Sequence, residues 1–178
     1  MAETAVTTRR ASAPFLIAFL DITPFTRASS RRTDDEIAEL MDEYYASITD
    51  AVRPSGGRVV KFLGDGALAV WPEGYADDGV ATLLALRDRV NGLLRARGWD
   101  ASFLAKAHYG TAVAGEFGKA PDQRFDIIGG AVMTAARLEA RTISISPAAF
   151  RQLKPETRKR LRKHTPPVVY IPADDPRP

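Results

Sequence analysis

The sequence predicts an α+β domain: one antiparallel sheet backed by helices. Three observations carry this. A capping box opens an amphipathic helix at 34–52, an Asp-Gly pair separates two apolar runs as a hairpin would, and a second amphipathic helix at 76–97 leads into further strands. The order along the chain is β-α-β-β-α-β with C-terminal additions. That is the ferredoxin-like βαββαβ core.

The elements follow in turn. Residues 1–13 are expected to form a disordered tail, 14–172 one domain, and 173–178 a flexible end. The apolar run Phe15-Leu16-Ile17-Ala18-Phe19-Leu20 marks a strand at 14–22. In Thr33-Asp34-Asp35-Glu36 the threonine oxygen can accept from a free first-turn amide while the glutamate reaches back to the cap. Behind it Ile37, Leu40, Met41, Tyr44, Tyr45 and Ile48 recur at helical spacing. Strands 58–63 and 67–71 flank an expected Asp65-Gly66 tip, where both turn positions favour positive φ. Val80, Leu83, Leu84, Leu86, Val90, Leu93 and Leu94 form the buried stripe of the helix at 76–97, and Gly98 closes it. Beyond it the expectation is strands at 101–109 and 112–117 and a loop at 118–124. A strand at 125–128, a helix at 130–140, a strand at 142–145, helices at 147–152 and 155–162, and a strand at 167–171 complete the chain.

Composition sets limits on function. The 178 residues suit one domain with a core, and 45% hydrophobic with 26% charged content is ordinary for a globular chain. There is no cysteine, hence no disulfide framework and no thiolate metal site. No apolar stretch approaches the ~18 residues that span a bilayer. Arg9-Arg10 precede no apolar core of a signal peptide, so a cytoplasmic location without membrane association is expected. Net charge is +3. Lys154, Arg158, Lys159, Arg160 and Arg162 form a basic block, read as a solvated helix face. Nucleic-acid binding is not expected there, because no aromatic residues interleave with the charges. His108 and His164 lack a third partner for a zinc site, and His108 is expected to be packed or half-exposed in its strand.

Asp21 ends the first strand and Asp65 sits at the hairpin tip. Each alone has an ordinary reading as a strand-end or turn residue. Together, on neighbouring strands of one sheet, they suit magnesium, which takes one or two carboxylates and completes its shell with substrate phosphates.

Four ordered blocks then become specific. They are Phe19-Leu20-Asp21-Ile22-Thr23-Pro24-Phe25-Thr26, Lys61-Phe62-Leu63-Gly64-Asp65-Gly66, Ala107-His108-Tyr109-Gly110 with Val113-Ala114-Gly115, and Phe125 to Glu139. A weaker fifth is Pro167-Val168-Val169-Tyr170. In this order the blocks resemble the catalytic domain of class III nucleotidyl cyclases, the adenylate and guanylate cyclase family, over about residues 14–171.

The resemblance implies that Asp21, Asp65 and the Ile22 carbonyl hold two divalent cations, Mg²⁺ or Mn²⁺. The amides around Phe25 and Thr26 would meet phosphates, Lys61 and Asp126 would read the base, and Arg137 would stabilise charge developing on phosphorus. It further implies a head-to-tail homodimer, with metal residues from one chain and base-reading and transition-state residues from the other. The base-reading pair has its own chemical logic. Lysine only donates hydrogen bonds and an ionised aspartate only accepts them. Adenine offers an acceptor at N1 beside a donor at its 6-amino group, and guanine presents the reverse, so the pair favours ATP.

Two positions depart from the family pattern. Pro24 stands in place of a glycine, and Met133 in place of the asparagine that orients the ribose. A thioether donates no hydrogen bond. The expected activity is an adenylate cyclase making 3′,5′-cyclic AMP and pyrophosphate. The alternatives are a degenerate cyclase domain acting as a nucleotide-binding or dimerisation module, and a cyclase preferring another nucleoside triphosphate.

Overall fold

The computed structural model describes residues 10–176. Residues 1–9, most of the expected disordered tail, and the terminal pair 177–178 lie outside the described residues. The elements are β1 (Ala11–Thr23), α1 (Phe25–Ser29), α2 (Asp34–Val52), β2 (Arg58–Leu63), β3 (Gly66–Pro72), α3 (Ala76–Ala96), β4 (Ser102–Phe117), β5 (Arg124–Ile128), α4 (Gly130–Arg137), β6 (Ile143–Ile145), α5 (Pro147–Phe150), α6 (Pro155–Arg158), β7 (Leu161–His164) and β8 (Val169–Pro172).

Among the described residues one eight-stranded sheet runs β2-β3-β1-β4-β6-β8-β7, with β5 pairing β4 off this path. The β4–β6 pair is parallel and the other pairs are antiparallel. Strand alternation divides the apolar residues between two faces. On one face, Leu16, Leu20, Trp71 and Phe103 pack with Leu40, Tyr44 and Ile48 of α2 and with Val80, Leu83 and Val90 of α3. On the other, Ile17, Leu68 and Val70 pack with Ala131, Val132 and Ala135 of α4. Helices therefore flank both faces, and α4 stands on the face opposite α2 and α3. Among the described residues no helix is long and apolar enough to cross a membrane.

The capping box is present as the sequence requires: the Thr33 hydroxyl accepts from the Glu36 amide at 3.2 Å, and Glu36 Oε2 accepts from the Thr33 amide at 2.8 Å. Other elements differ from expectation. β1 begins at Ala11 rather than residue 14, because residues 11–13 pair with Ala112–Ala114 of the long β4. The helix α1 had no sequence signal of its own. β4 is one strand where two were expected. Gly110 does not break it; a Cβ there would lie 2.8 Å from the Ala131 Cβ, so this glycine admits α4 close to the sheet. The hairpin turn is Gly64-Asp65, one residue earlier than expected, with Leu63 opposite Gly66. Only Gly64 takes positive φ there, at 64°, as in a type II′ turn.

The C-terminal third departs most. α4 stops at Arg137, since Leu138 leaves helical geometry at ψ 137°. The basic block lies on no single helix. It spans the short α6 and then β7, whose Leu161 is buried and pairs with Pro172. The expected flexible end is tethered as far as it is described. Asp174 accepts two hydrogen bonds from Arg87, at 2.7 and 2.9 Å, and buried Asp175 accepts from the Thr142 hydroxyl.

Candidate active site

β1 turns Leu16, Ala18, Leu20 and Ile22 toward α2 and α3, so Asp21 faces the α4 side at the strand's end. The β1–β3 pairing sets Leu20 opposite Ala67, which carries the Gly64-Asp65 turn to the same place. Gly66 lets the turn close in, because a Cβ there would come within 3.0 Å of the Leu20 carbonyl oxygen. The Tyr45 hydroxyl donates to the Gly64 carbonyl, and its ring stacks on Phe62 at 4.0 Å, holding the turn from the α2 side. Asp21 and Asp65 thus share a cavity of about 220 Å³ with Phe19, Leu63, Lys106 and Ala136.

The electrostatics of this cavity favour a cation. Burial and then the Asp65 charge push the Asp21 carboxyl above its ordinary range, while the Ile22 amide, 2.9 Å from Oδ1, and the more distant Lys106 charge oppose the shift. Tyr44 lies close enough for both carboxylates to act on it. Burial first, and then their charges, drive its phenol far upward, and its hydroxyl has no partner among the described residues. Among the described residues no cluster of three or more His, Cys, Asp or Glu could cage a metal. Two hard oxygen donors without a complete protein shell fit Mg²⁺ or Mn²⁺ sharing its coordination with phosphate.

Lys61 and Asp126 meet in the structure, with Lys61 Nζ 2.6 Å from Asp126 Oδ2. A β-bulge makes this possible. The register shifts between Val59 and Lys61, Val60 packs on the α4 side, and Lys61 lies opposite Leu68 of that same face. Without the extra residue Lys61 would turn toward α2. Asp126 is fixed in its turn by the Ile127 amide, which donates to Oδ1 at 2.8 Å. A partly exposed ion pair of this kind contributes only about 0–1 kcal/mol, so it opens at little cost.

Arg137 ends α4 and is exposed. It lines a different cavity, of about 670 Å³, with Lys106, Arg141, His164, Pro166 and Pro167. Met133, one turn earlier on α4, is 53% exposed. Phe25 stacks on Trp99 at 5.8 Å, so its ring serves the core. Exposed Thr26 follows it in the first turn of α1, where backbone amides lack intrahelical acceptors. Pro24 sits at the N-cap, and its carbonyl accepts from the Ala28 amide at 3.1 Å. Within one chain, then, the carboxylate pair and Arg137 open onto separate cavities.

No family model matches the sequence. The chain is 31% identical over 131 residues to adenylate cyclase 1 of Rhizobium meliloti, an alignment covering 68% of this chain and 20% of that protein. Its structure is similar to that of the adenylyl cyclase CyaB from P. aeruginosa, with TM-score 0.80 and 20% identity over 95% of this chain and 98% of that one. The guanylyl cyclase Cya2 also shares the fold, at TM-score 0.69 and 21% identity, over 93% of this chain and 92% of that one. The chain belongs with the class III nucleotidyl cyclase catalytic domains. It spans well under half the length of the curated relatives it matches.

Sequence reasoning about this cyclase domain missed two residues at the carboxylate site. Lys106 lines both cavities. Its signal was a lone lysine amid Phe103-Leu104-Ala105 and Ala107, in a strand with no other charge nearby. Tyr44 has the sequence signature of a core position of α2, and the packing of α2 on the sheet brings it within reach of the two carboxylate charges. His108 is half-buried with Nδ1 2.9 Å from the Ser146 hydroxyl, and burial lowers its pKa. It lines neither cavity.

Proposed function

We propose that this cyclase domain converts ATP to 3′,5′-cyclic AMP and pyrophosphate at a site completed by a second copy of the chain. The observation that carries the reading is the shared cavity of Asp21 and Asp65, set apart from the cavity that Arg137 lines. In the reaction the ribose 3′-oxygen forms a bond to the α-phosphorus. The bond from that phosphorus to the bridging oxygen breaks, pyrophosphate leaves, and the hydroxyl proton passes to solvent or base.

Asp21, Asp65 and the Ile22 carbonyl would hold two Mg²⁺ or Mn²⁺ ions, which supply charge stabilisation for the attacking and leaving oxygens. The amides of Phe25 and Thr26 would orient the phosphates. Lys61 would donate to adenine N1 and Asp126 accept from the 6-amino group, both from the partner chain. Arg137, also from the partner, would neutralise charge growing on the α-phosphoryl oxygens. Met133 supports a second reading, a nucleotide-binding dimerisation module, since its exposed thioether gives the ribose no donor.

The test is cyclic nucleotide formation with Mn²⁺ and each of the four nucleoside triphosphates. Product from ATP in excess of that from GTP is expected. Absence of product from both the native chain and a Met133→Asn chain would overturn the enzyme reading. Base choice has its own check. Reversing the donor and acceptor in Lys61→Glu/Asp126→Lys is expected to move kcat/KM from ATP toward GTP. Each contact is worth roughly 1–3 kcal/mol, and an unchanged ATP:GTP ratio would remove these residues from base recognition.

A further inference from the structure

Arg58 reaches across a gap in the hydrogen-bonded sheet. Among the described residues β2 pairs with β3 and β5 pairs with β4, and no ladder joins β2 to β5. Two side-chain contacts join them instead. One is the Lys61–Asp126 pair. The other sets the Arg58 guanidinium carbon 3.4 Å from the centroid of the Phe125 ring. Arg58 is exposed on the edge strand, and Phe125 is half-buried. Among the described residues no carboxylate forms an ion pair with Arg58. Its planar cation is used on the ring, an attraction between positive charge and the negative face of the π-system.

The two contacts hold β5 from both sides. Arg58 lies opposite Val70 and Lys61 opposite Leu68, and both of those belong to the α4-side core. The bulge therefore leaves the two cations on one face of β2. Phe125 and Asp126 are consecutive in β5, so they point to opposite faces of that strand. A rotation of β5 that preserved one contact would break the other. Asp126 needs this support. Gly115, its partner on β4, offers no side chain beside it, and the Ile127 amide holds only Oδ1. The place of Oδ2 depends on where β5 stands against β2. A base that opens the Lys61–Asp126 pair removes one of the two ties, and the Arg58–Phe125 contact is the one that stays.

We propose that Arg58, through Phe125, is a positioning residue for base recognition: it clasps β5 to β2 so that Lys61 and Asp126 keep their spacing while they read the base. The proposal rests on the base-reading assignment above. Arg58 acts through the strand and not by touching the nucleotide.

The readout is the ratio of ATP to GTP affinity, from calorimetric titration with Mn²⁺ present, beside the melting temperature of each chain. Arg58→Met keeps an unbranched stem and removes the planar cation. It is expected to cut the preference for ATP over GTP by about 3–10-fold, and Phe125→Leu by a similar factor. The double variant is expected to lose no more than either single one, because both remove the same contact. Arg58→Lys returns a cation to the ring and is expected to recover part of the loss. A merely structural contact would lower the melting temperature and leave the ATP:GTP preference native, and that result would overturn the proposal. So would losses that add in the double variant. The Lys61→Glu/Asp126→Lys chain tells this failure from that of base reading. If that reversal moves the preference while Arg58→Met does not, the base-reading assignment stands without Arg58. If the reversal moves nothing, or the native chain prefers neither nucleotide, both fall.

Discussion

Met133→Asn is expected to raise the rate of cyclic nucleotide formation by about 10²–10³-fold, the scale of one preorganised hydrogen bond to a developing charge. The side chain is 53% exposed on α4, so the change disturbs no packing. In helix propensity it costs well under about 1 kcal/mol. Residue 133 stands one turn before Arg137, which puts an amide at that position on the same face of α4. A contact made only in the transition state raises kcat and leaves KM nearly unchanged. Steady-state kinetics with Mn²⁺ and ATP on both chains are the measurement. An unchanged kcat, or a gain confined to KM, would remove residue 133 from transition-state stabilisation.

The two halves of the molecule differed in how far the sequence could be read. α2 was legible to the residue because its cap and its apolar stripe agree, and local agreement of this kind survives in any tertiary context. The carboxylate pair was legible because strand ends and turns have local signatures. The turn itself shifted by one residue, since Gly64 can take the positive φ that Asp65 would have had to adopt. The C-terminal elements are three or four residues long and owe their form to distant partners. β7 exists because Leu161 pairs across to Pro172, and no local pattern in its basic sequence announces that. Lys106 and Tyr44 escaped for a related reason. Each is ordinary in its own element, and each matters only through what a second element brings beside it.

The second large effect separates the two half-sets of residues. Asp21→Ala is expected to abolish activity while the chain still folds. Burial and Asp65 hold the Asp21 carboxyl above its ordinary range. A carboxylate with a raised folded pKa opposes folding at pH values above its unfolded pKa, so its removal leaves the melting temperature equal or higher near neutral pH. Arg137→Ala is likewise expected to fold and to be inactive, since the side chain is exposed at the end of α4. In a head-to-tail homodimer the two defects fall in the same site of the mixed pair, and the other site is complete. After subunit exchange at equal concentrations, half the dimers are mixed and each has one working site of two. The most direct test is therefore the activity of the mixture of Asp21→Ala and Arg137→Ala chains, with exchange verified by mass-tagged subunits. A shared site gives about a quarter of native activity; no recovery from two folded, exchanging mutants contradicts it.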